Sequence, residues 1–168
     1  INYGVTGLML RSTGLKFDLR RVDGYSVYPE LDFNIPVGKG EMGQTGDCWD
    51  RTWVRAEECK ESVKIIEQCL SKLLGEHKRT KEFDPRQFAP KKIRPKAQDL
   101  YVRSENPKGE VGFFFRADGR SDIAVRCKAR SCCFSNLSIL PELSKGYMVA
   151  DLLAIVGSLD LVLGEVDR

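Results

Sequence analysis

Asp47-Cys-Trp-Asp-Arg-Thr-Trp-Val-Arg-Ala-Glu-Glu-Cys-Lys-Glu-Ser-Val-Lys-Ile-Ile-Glu-Gln-Cys-Leu-Ser-Lys-Leu-Leu74 is the stretch on which the fold turns. Trp49, Trp53, Ala56, Val63, Ile66, Leu70 and Leu73 recur at helical spacing. Asp47 suits an N-cap, and Asp50 stands in the first turn, where a negative charge is favoured. Gly75 is the expected stop. The spacing therefore predicts one helix over 47–74, long enough to lie in a bundle or cross a whole domain.

A second stripe runs beside the apolar one. Arg51, Arg55, Glu58 and Ser62 are separated by steps of four, three and four, so they share a face. Arg55 and Glu58 are placed to pair, while Arg51 and Arg55 repel and require an acid from elsewhere. A solvated charged face and a buried polar network both fit this pattern. The flanking tryptophans favour a face that is not fully exposed.

On the C-terminal side, residues 76–98 are polar and basic and are broken by Pro85, Pro90 and Pro95, which predicts a surface excursion. Residues 99–130 read as a three-stranded antiparallel meander: Leu100–Arg103, Val111–Phe115 and Ile123–Arg126, with turns at Pro107–Glu110 and Asp118–Gly119. Two helical segments follow, one from near Ser135-Asn136 through Leu143 and one from about Met148 to Leu159. On the N-terminal side, Gly4, Gly7, Gly14, Gly24, Pro29 and Pro36 argue for loops around short elements. Tyr25–Pro29 and Leu31–Ile35 are candidate extended segments. The fold class expected is α+β, a helical bundle portion with one long helix plus a small antiparallel β meander, in one domain.

The chain ends Gly157-Ser-Leu-Asp-Leu-Val-Leu-Gly-Glu-Val-Asp-Arg168. An apolar run carrying Asp160, Glu165, Asp167 and Arg168 is expected to be docked, with partners for its charges. Helix capping and surface charge are the plainer reading. The apolar stretch Tyr147–Leu163 is short for a membrane span and is interrupted by Asp151 and Asp160, so no transmembrane helix is expected.

Net charge of +3 is only mildly basic, which gives little support to a nucleic-acid partner. The six cysteines, Cys48, Cys59, Cys69, Cys127, Cys132 and Cys133, contain no CxxC pair. They are read as free thiols, and no metal or iron–sulfur site held by this chain alone is expected. The single histidine, His77, lies in a charged segment, which removes support for a Ser–His or Cys–His nucleophile. Phosphate-cradling glycine motifs are absent. The residues by themselves predict no complete catalytic site.

Read in order, further motifs are Gly4-Val-Thr-Gly7, Leu10-Arg-Ser-Thr-Gly14, Phe17-Asp-Leu-Arg20, Gly46-Asp-Cys-Trp-Asp-Arg51, Val54-Arg55, Glu57-Glu58, Pro107-Lys-Gly-Glu110, Asp118-Gly119, Phe134 with Asn136-Leu137, Ala150-Asp151 and the Gly157–Arg168 tail. This series resembles the C-terminal part of the quinone-site D-type subunit of proton-pumping NADH:quinone oxidoreductase, respiratory complex I and its chloroplast relative. The resemblance covers essentially residues 1–168. The family's N-terminal β-domain has no counterpart in this chain. A fragment and one half of a split subunit are both compatible with that.

The resemblance implies the fold of the nickel–iron hydrogenase large subunit without its metal site, because no cysteine follows Cys133. It implies a peripheral-arm subunit beside the membrane. A partner subunit carries the terminal 4Fe-4S cluster, and quinone is reduced in a cavity between the two. Other implied partners are the N-terminal half of the D-type subunit, the C-type subunit and the membrane quinone-channel subunit. Asp160, Val162 and Leu163 are the implied quinone-cavity residues. Glu165, Asp167 and Arg168 are implied tail anchors, and Asp50, Arg51, Arg55 and Glu58 an implied buried charge network. A mitochondrial inner membrane location, matrix side, is expected, with the cytoplasmic face of a bacterial membrane or the stromal side of a thylakoid as alternatives. A purely structural assembly module is the alternative function. The sequence departs from the family's usual pattern at Thr52, at Cys132, in 76–98 and at Ser121–Ile123.

Overall fold

The computed structural model describes residues 2–77 and 94–167, with residues 76 and 77 described through their backbone alone. Two single helical turns, α1 (Leu8–Arg11) and α2 (Leu19–Val22), precede a 3-10 turn at Tyr28–Glu30 and the long helix α3 (Cys48–His77). The strands are β1 (Gln98–Asn106), β2 (Gly109–Ala117) and β3 (Arg126–Arg130). Four helices close the chain: α4 (Cys132–Leu137), α5 (Leu140–Leu143), α6 (Val149–Leu159) and α7 (Leu163–Val166).

Caps explain most of the helix starts. The Asp47 carboxylate accepts the Asp50 N–H at 2.8 Å, as its position predicts. Asp18 accepts the Arg20 N–H at 2.9 Å before α2, and Ser131 accepts the Phe134 N–H at 3.1 Å before α4. Pro141 sits in the first turn of α5, where a missing N–H costs nothing. Asp151 reaches back to the Met148 N–H at 3.1 Å and fixes the start of α6. Gly75 does not end α3, which continues to His77; a glycine within a helix costs only about 1 kcal/mol and is carried by its neighbours.

The sheet has the order β1-β2-β3 and is antiparallel throughout. Pro107-Lys108 forms a two-residue connection, with Asn106 opposite Gly109. The third strand lies later than its apolar residues suggest: pairing begins at Arg126, and Ile123 and Val125 are exposed. The reason is local. Asp118 accepts the N–H groups of Arg120 and Ser121 at 2.9 and 3.1 Å, and Ser121 Oγ accepts the Ile123 N–H at 3.0 Å, so the turn extends to Ile123, while the Val125 N–H already donates to the Arg116 carbonyl at 2.8 Å.

Neither candidate extended segment before α3 joins a sheet. Pro29 opens the 3-10 turn instead. Leu31 and Phe33 are buried, and the backbone between them is satisfied by α3 side chains. Gln68 accepts the Asp32 N–H at 2.8 Å and donates to the Asp32 carbonyl at 2.7 Å, while Glu61 accepts the Asn34 N–H at 2.8 Å. This gives the segment's polar backbone groups the partners a strand neighbour would have supplied.

The buried core is small. Val5, Met9 and Leu159 cluster together, with Leu140, Leu143 and Leu161 packed against them, and Val54, Leu19 and Ile155 are buried as well. By contrast the predicted apolar stripe of α3 is largely exposed, with Val63, Ile66, Leu70 and Leu73 each half open to solvent. Among the described residues of α3, the fully buried ones, Asp50, Arg51 and Val54, all lie in its first two turns.

Polar interactions join what the core does not. Arg11, 1% exposed, lies at the end of α1. Its guanidinium reaches Glu58 of α3 at 2.5 Å, Glu105 of β1 at 2.7 Å and Asp18, the cap of α2, at 3.6 Å. It also donates to the Phe17 carbonyl at 3.2 Å. Glu105 accepts the Leu19 N–H at 3.2 Å, and its own N–H donates to the Tyr25 hydroxyl at 3.0 Å. Burial pushes the Glu105 carboxyl above the usual range despite the opposing pull of Arg11.

Replacing Arg11 with Met leaves three carboxylates without their shared cation. We expect a loss of about 3–5 kcal/mol in unfolding free energy, the usual consequence of breaking a buried pair by removing one partner. Arg11→Lys is expected to recover less than half of it, since an ammonium cannot fork between Glu58 and Glu105. Denaturant unfolding of the three proteins checks this; equal midpoints for wild type and Arg11→Met would contradict it.

Candidate functional site

The C-terminal tail lies against three elements, and two carboxylates fix its course. Asp160 caps α6 in a left-handed conformation, φ 51°, which turns the chain away from the helix. A non-glycine residue holds that geometry most readily when it is Asp or Asn. Here the Asp160 carboxylate receives Lys108 Nζ at 2.5 Å and lies 3.6 Å from Arg55 Nε. Lys108 also donates to the Asp160 carbonyl at 3.0 Å. The β1–β2 turn therefore carries the cation that stabilises the tail's first bend.

The second carboxylate is Glu165, on α7. It accepts the Ser131 hydroxyl at 2.9 Å, the Cys132 N–H at 3.1 Å and the thiols of Cys132 and Cys133 at 3.3 and 3.2 Å. Burial pushes Glu165 up, but these hydrogen bonds outweigh it and hold the carboxyl below the ordinary glutamate range. Burial and the neighbouring carboxylate push both thiols up. Between the two anchors, Val162 and Leu163 are 43% and 69% exposed. Asp167 is exposed and makes no ion pair among the described residues, while Arg168 lies outside them. His77 is described through its backbone alone, and most of the basic segment 76–98 also lies outside the described residues.

The charged face of α3 divides in a way that its spacing did not show. Arg51 is buried and finds no acid among the described residues: Nε donates to Ser158 Oγ at 2.8 Å, Nη1 to the Gly46 carbonyl at 2.5 Å and Nη2 to Cys48 Sγ at 3.0 Å. Arg55 does not pair with Glu58. It turns to the Ser158 carbonyl at 3.0 Å and to Asp160, because Glu58 is already held by Arg11. Asp50 is buried and gathers the N–H groups of Lys39, Gly40 and Gly46 at 3.4, 2.9 and 3.0 Å, which binds the preceding loop to the start of α3. Ser62 donates to its own helix at the Glu58 carbonyl and takes no part in the network.

Two clefts flank this network. One, of about 360 Å³, is polar and is lined by Arg11, Arg55, Glu58, Glu105 and Asp160. The other, of about 530 Å³, lies between the start of α3 and α6, with Trp49, Tyr147, Cys48 and Arg51 in its wall. Val162 and Leu163 line neither. The sequence reading did not single out Arg11, Lys108, Glu105 or Ser158 as site residues. Arg11 and Lys108 fall in quoted motifs, but each acts through a partner at least 47 residues away, which spacing along the chain does not reveal.

Among the described residues no helix is long and apolar enough to cross a membrane. Residues 1–168 match the family model of the respiratory-chain NADH dehydrogenase 49 kDa subunit. NADH-quinone oxidoreductase D-type subunit 1 of Cytophaga hutchinsonii is 70% identical over all 168 residues. The corresponding D-type subunits of Amoebophilus asiaticus and Chlorobium phaeovibrioides are 61% and 56% identical over the same span. The chain covers 43%, 42% and 41% of these three proteins, well under half of each. With the motif order, the two-anchor tail and this end-to-end match in agreement, the chain belongs to the 49 kDa subunit family of the respiratory-chain NADH dehydrogenase.

Proposed function

We propose that this chain forms one wall of the quinone-reduction cavity in the peripheral arm of an NADH:quinone oxidoreductase. The observation that carries the proposal is the tail: Val162 and Leu163 stay exposed although the residues on either side, Asp160 and Glu165, are held by hydrogen bonds. Exposed apolar side chains on a fixed segment are ready to pack against something else. A quinone ring needs such an apolar wall with a few oriented polar groups nearby.

Quinone reduction takes up two electrons and two protons. In this proposal the electrons come from the 4Fe-4S cluster of a partner subunit. This chain supplies position and charge. Lys108 and Arg55 hold and orient Asp160 at the base of the wall, and the adjoining polar cleft gives protons a hydrated approach. Asp50 and Arg51 stiffen the α3–α6 junction behind it. Glu165 anchors the far end, with Asp167 and Arg168 completing the tail's contacts in the assembly.

The half-exposed stripe of α3 and the exposed Val149 and Leu153 of α6 fit burial against other subunits. We assign those faces to the N-terminal half of the D-type subunit, the terminal-cluster subunit, the C-type subunit and the membrane quinone-channel subunit. The helices with their small sheet are read as the hydrogenase large-subunit fold lacking the nickel–iron site. The three relatives are bacterial, which favours the cytoplasmic face of a bacterial membrane over a mitochondrial location.

Val162→Met adds bulk to the proposed wall. Assembled enzyme carrying it should lose about 10-fold in sensitivity to quinone-site inhibitors, the scale of a misfit of a methylene or two in an apolar pocket. Unchanged sensitivity in a fully assembled variant would refute the cavity assignment. Lys108→Met removes the clamp on Asp160. Because that pair is partly exposed, stability should fall by no more than about 1 kcal/mol, while KM for quinone should rise severalfold with electron entry from NADH unchanged. A purely structural module would show altered assembly with KM intact.

A further inference from the structure

Cys132 and Cys133 stand apart from the proposed quinone wall. Both are fully buried, and both thiols point at the carboxylate of Glu165, which comes from α7 more than thirty residues away. One sulfur is paired with each oxygen: Cys132 Sγ with Oε1 at 3.3 Å and Cys133 Sγ with Oε2 at 3.2 Å. One ligand atom from each of the three residues lies within 4.8 Å of the others.

We propose that Cys132, Cys133 and Glu165 form a binding site for a thiophilic divalent cation of the zinc class, which fastens the tail to the start of α4. This departs from the expectation that the chain holds no metal. That expectation rested on the absence of a CxxC pair, and here two adjacent cysteines are completed by a distant glutamate.

The geometry fits such an ion. Bonds of about 2.3 Å to sulfur and about 2.0 Å to oxygen, at a tetrahedral angle, place a sulfur and an oxygen roughly 3.5 Å apart. Whichever carboxylate oxygen serves as the ligand, one sulfur–oxygen edge is already within a few tenths of an ångström of this, and the remaining ligand-atom separations lie within 4.8 Å. The charge also fits. Glu165 is surrounded by neutral donors, the Ser131 hydroxyl, two N–H groups and two thiols, with no cation paired to it among the described residues. A divalent ion replacing two thiol protons balances two thiolates and leaves the carboxylate as the third ligand. Two sulfur–metal bonds form, two sulfur–hydrogen bonds break, both protons pass to solvent and no electrons move.

Glu165 is only partly buried, so the ion has an approach from the tail side. A metal here would hold Val162 and Leu163 in place without touching them.

The test uses the full-length protein freed of metal by chelation. Cadmium titration should produce one equivalent of ultraviolet sulfur-to-metal charge-transfer absorption, reversed by zinc, with two protons released per ion. Cys132→Ser, Cys133→Ser and Glu165→Gln should each weaken binding about 100-fold, while Cys127→Ser, at an exposed position, should not. The cadmium titration and its proton release need no substitution, so they decide the question even if a variant fails to fold. Absence of the charge-transfer band on cadmium titration, or a cadmium signal that survives in Cys132→Ser/Cys133→Ser, would overturn the proposal.

Discussion

A single buried guanidinium sets the arrangement of this chain. Arg11 cannot be neutral at any ordinary pH and cannot be buried alone. Its carboxylate partners come from the α2 cap, the middle of α3 and the end of β1, at Asp18, Glu58 and Glu105. The apolar cluster joins only the N-terminal segment, α5 and α6. The sheet therefore owes much of its position relative to α3 to this ion cluster. The arrangement also has a cost: three acids converge on Arg11 and Arg20, and burial together with the excess negative charge raises Glu105. A cluster of this kind fixes geometry more surely than it adds stability.

The same cluster explains why Arg55 faces the tail. Helical spacing puts Arg55 and Glu58 within reach of each other, and in an isolated helix they would pair. Arg11 occupies Glu58 from the other side. Arg55 is thereby released toward Ser158 and Asp160, and Arg51, one turn earlier, reaches the same serine from beneath. Ser158 thus becomes the junction at which α3 and α6 are joined, one arginine on its hydroxyl and one on its carbonyl. Competition for one glutamate, 47 residues from Arg11, decides what lies beside the tail.

Local rules carried the sequence reading as far as local causes extend. The Asp47 cap, the β1–β2 hairpin and the start of α6 near Met148 are each fixed by a few neighbouring residues, and each was legible. The third strand starts late because Asp118 and Ser121 take the N–H groups of Arg120, Ser121 and the β-prone Ile123. Leu31–Ile35 alternates like a strand, yet its backbone is satisfied by Gln68 and Glu61 on a helix. Alternation signals one buried face; it does not identify the partner that supplies the hydrogen bonds. The α3 stripe shows the converse. Its period was correct, but periodicity cannot say whether the covering surface belongs to the same chain.

The tail shows the same limit most sharply. Its charges could be read as anchors from composition, yet nothing in Gly157–Arg168 indicates that Asp160 takes its cation from a hairpin turn while Glu165, among the described residues, takes only neutral donors. The two ends are consequently held by different physics. At Asp160 the attraction is between full charges and is weakened by salt. At Glu165 it depends on buried dipoles and thiol protons, which salt screens far less. Thiol chemistry therefore governs the Glu165 end, and ionic strength the Asp160 end. A segment clamped by two independent mechanisms can lose either hold while keeping the other, so Val162 and Leu163 can be displaced from either side without unfolding the domain that presents them.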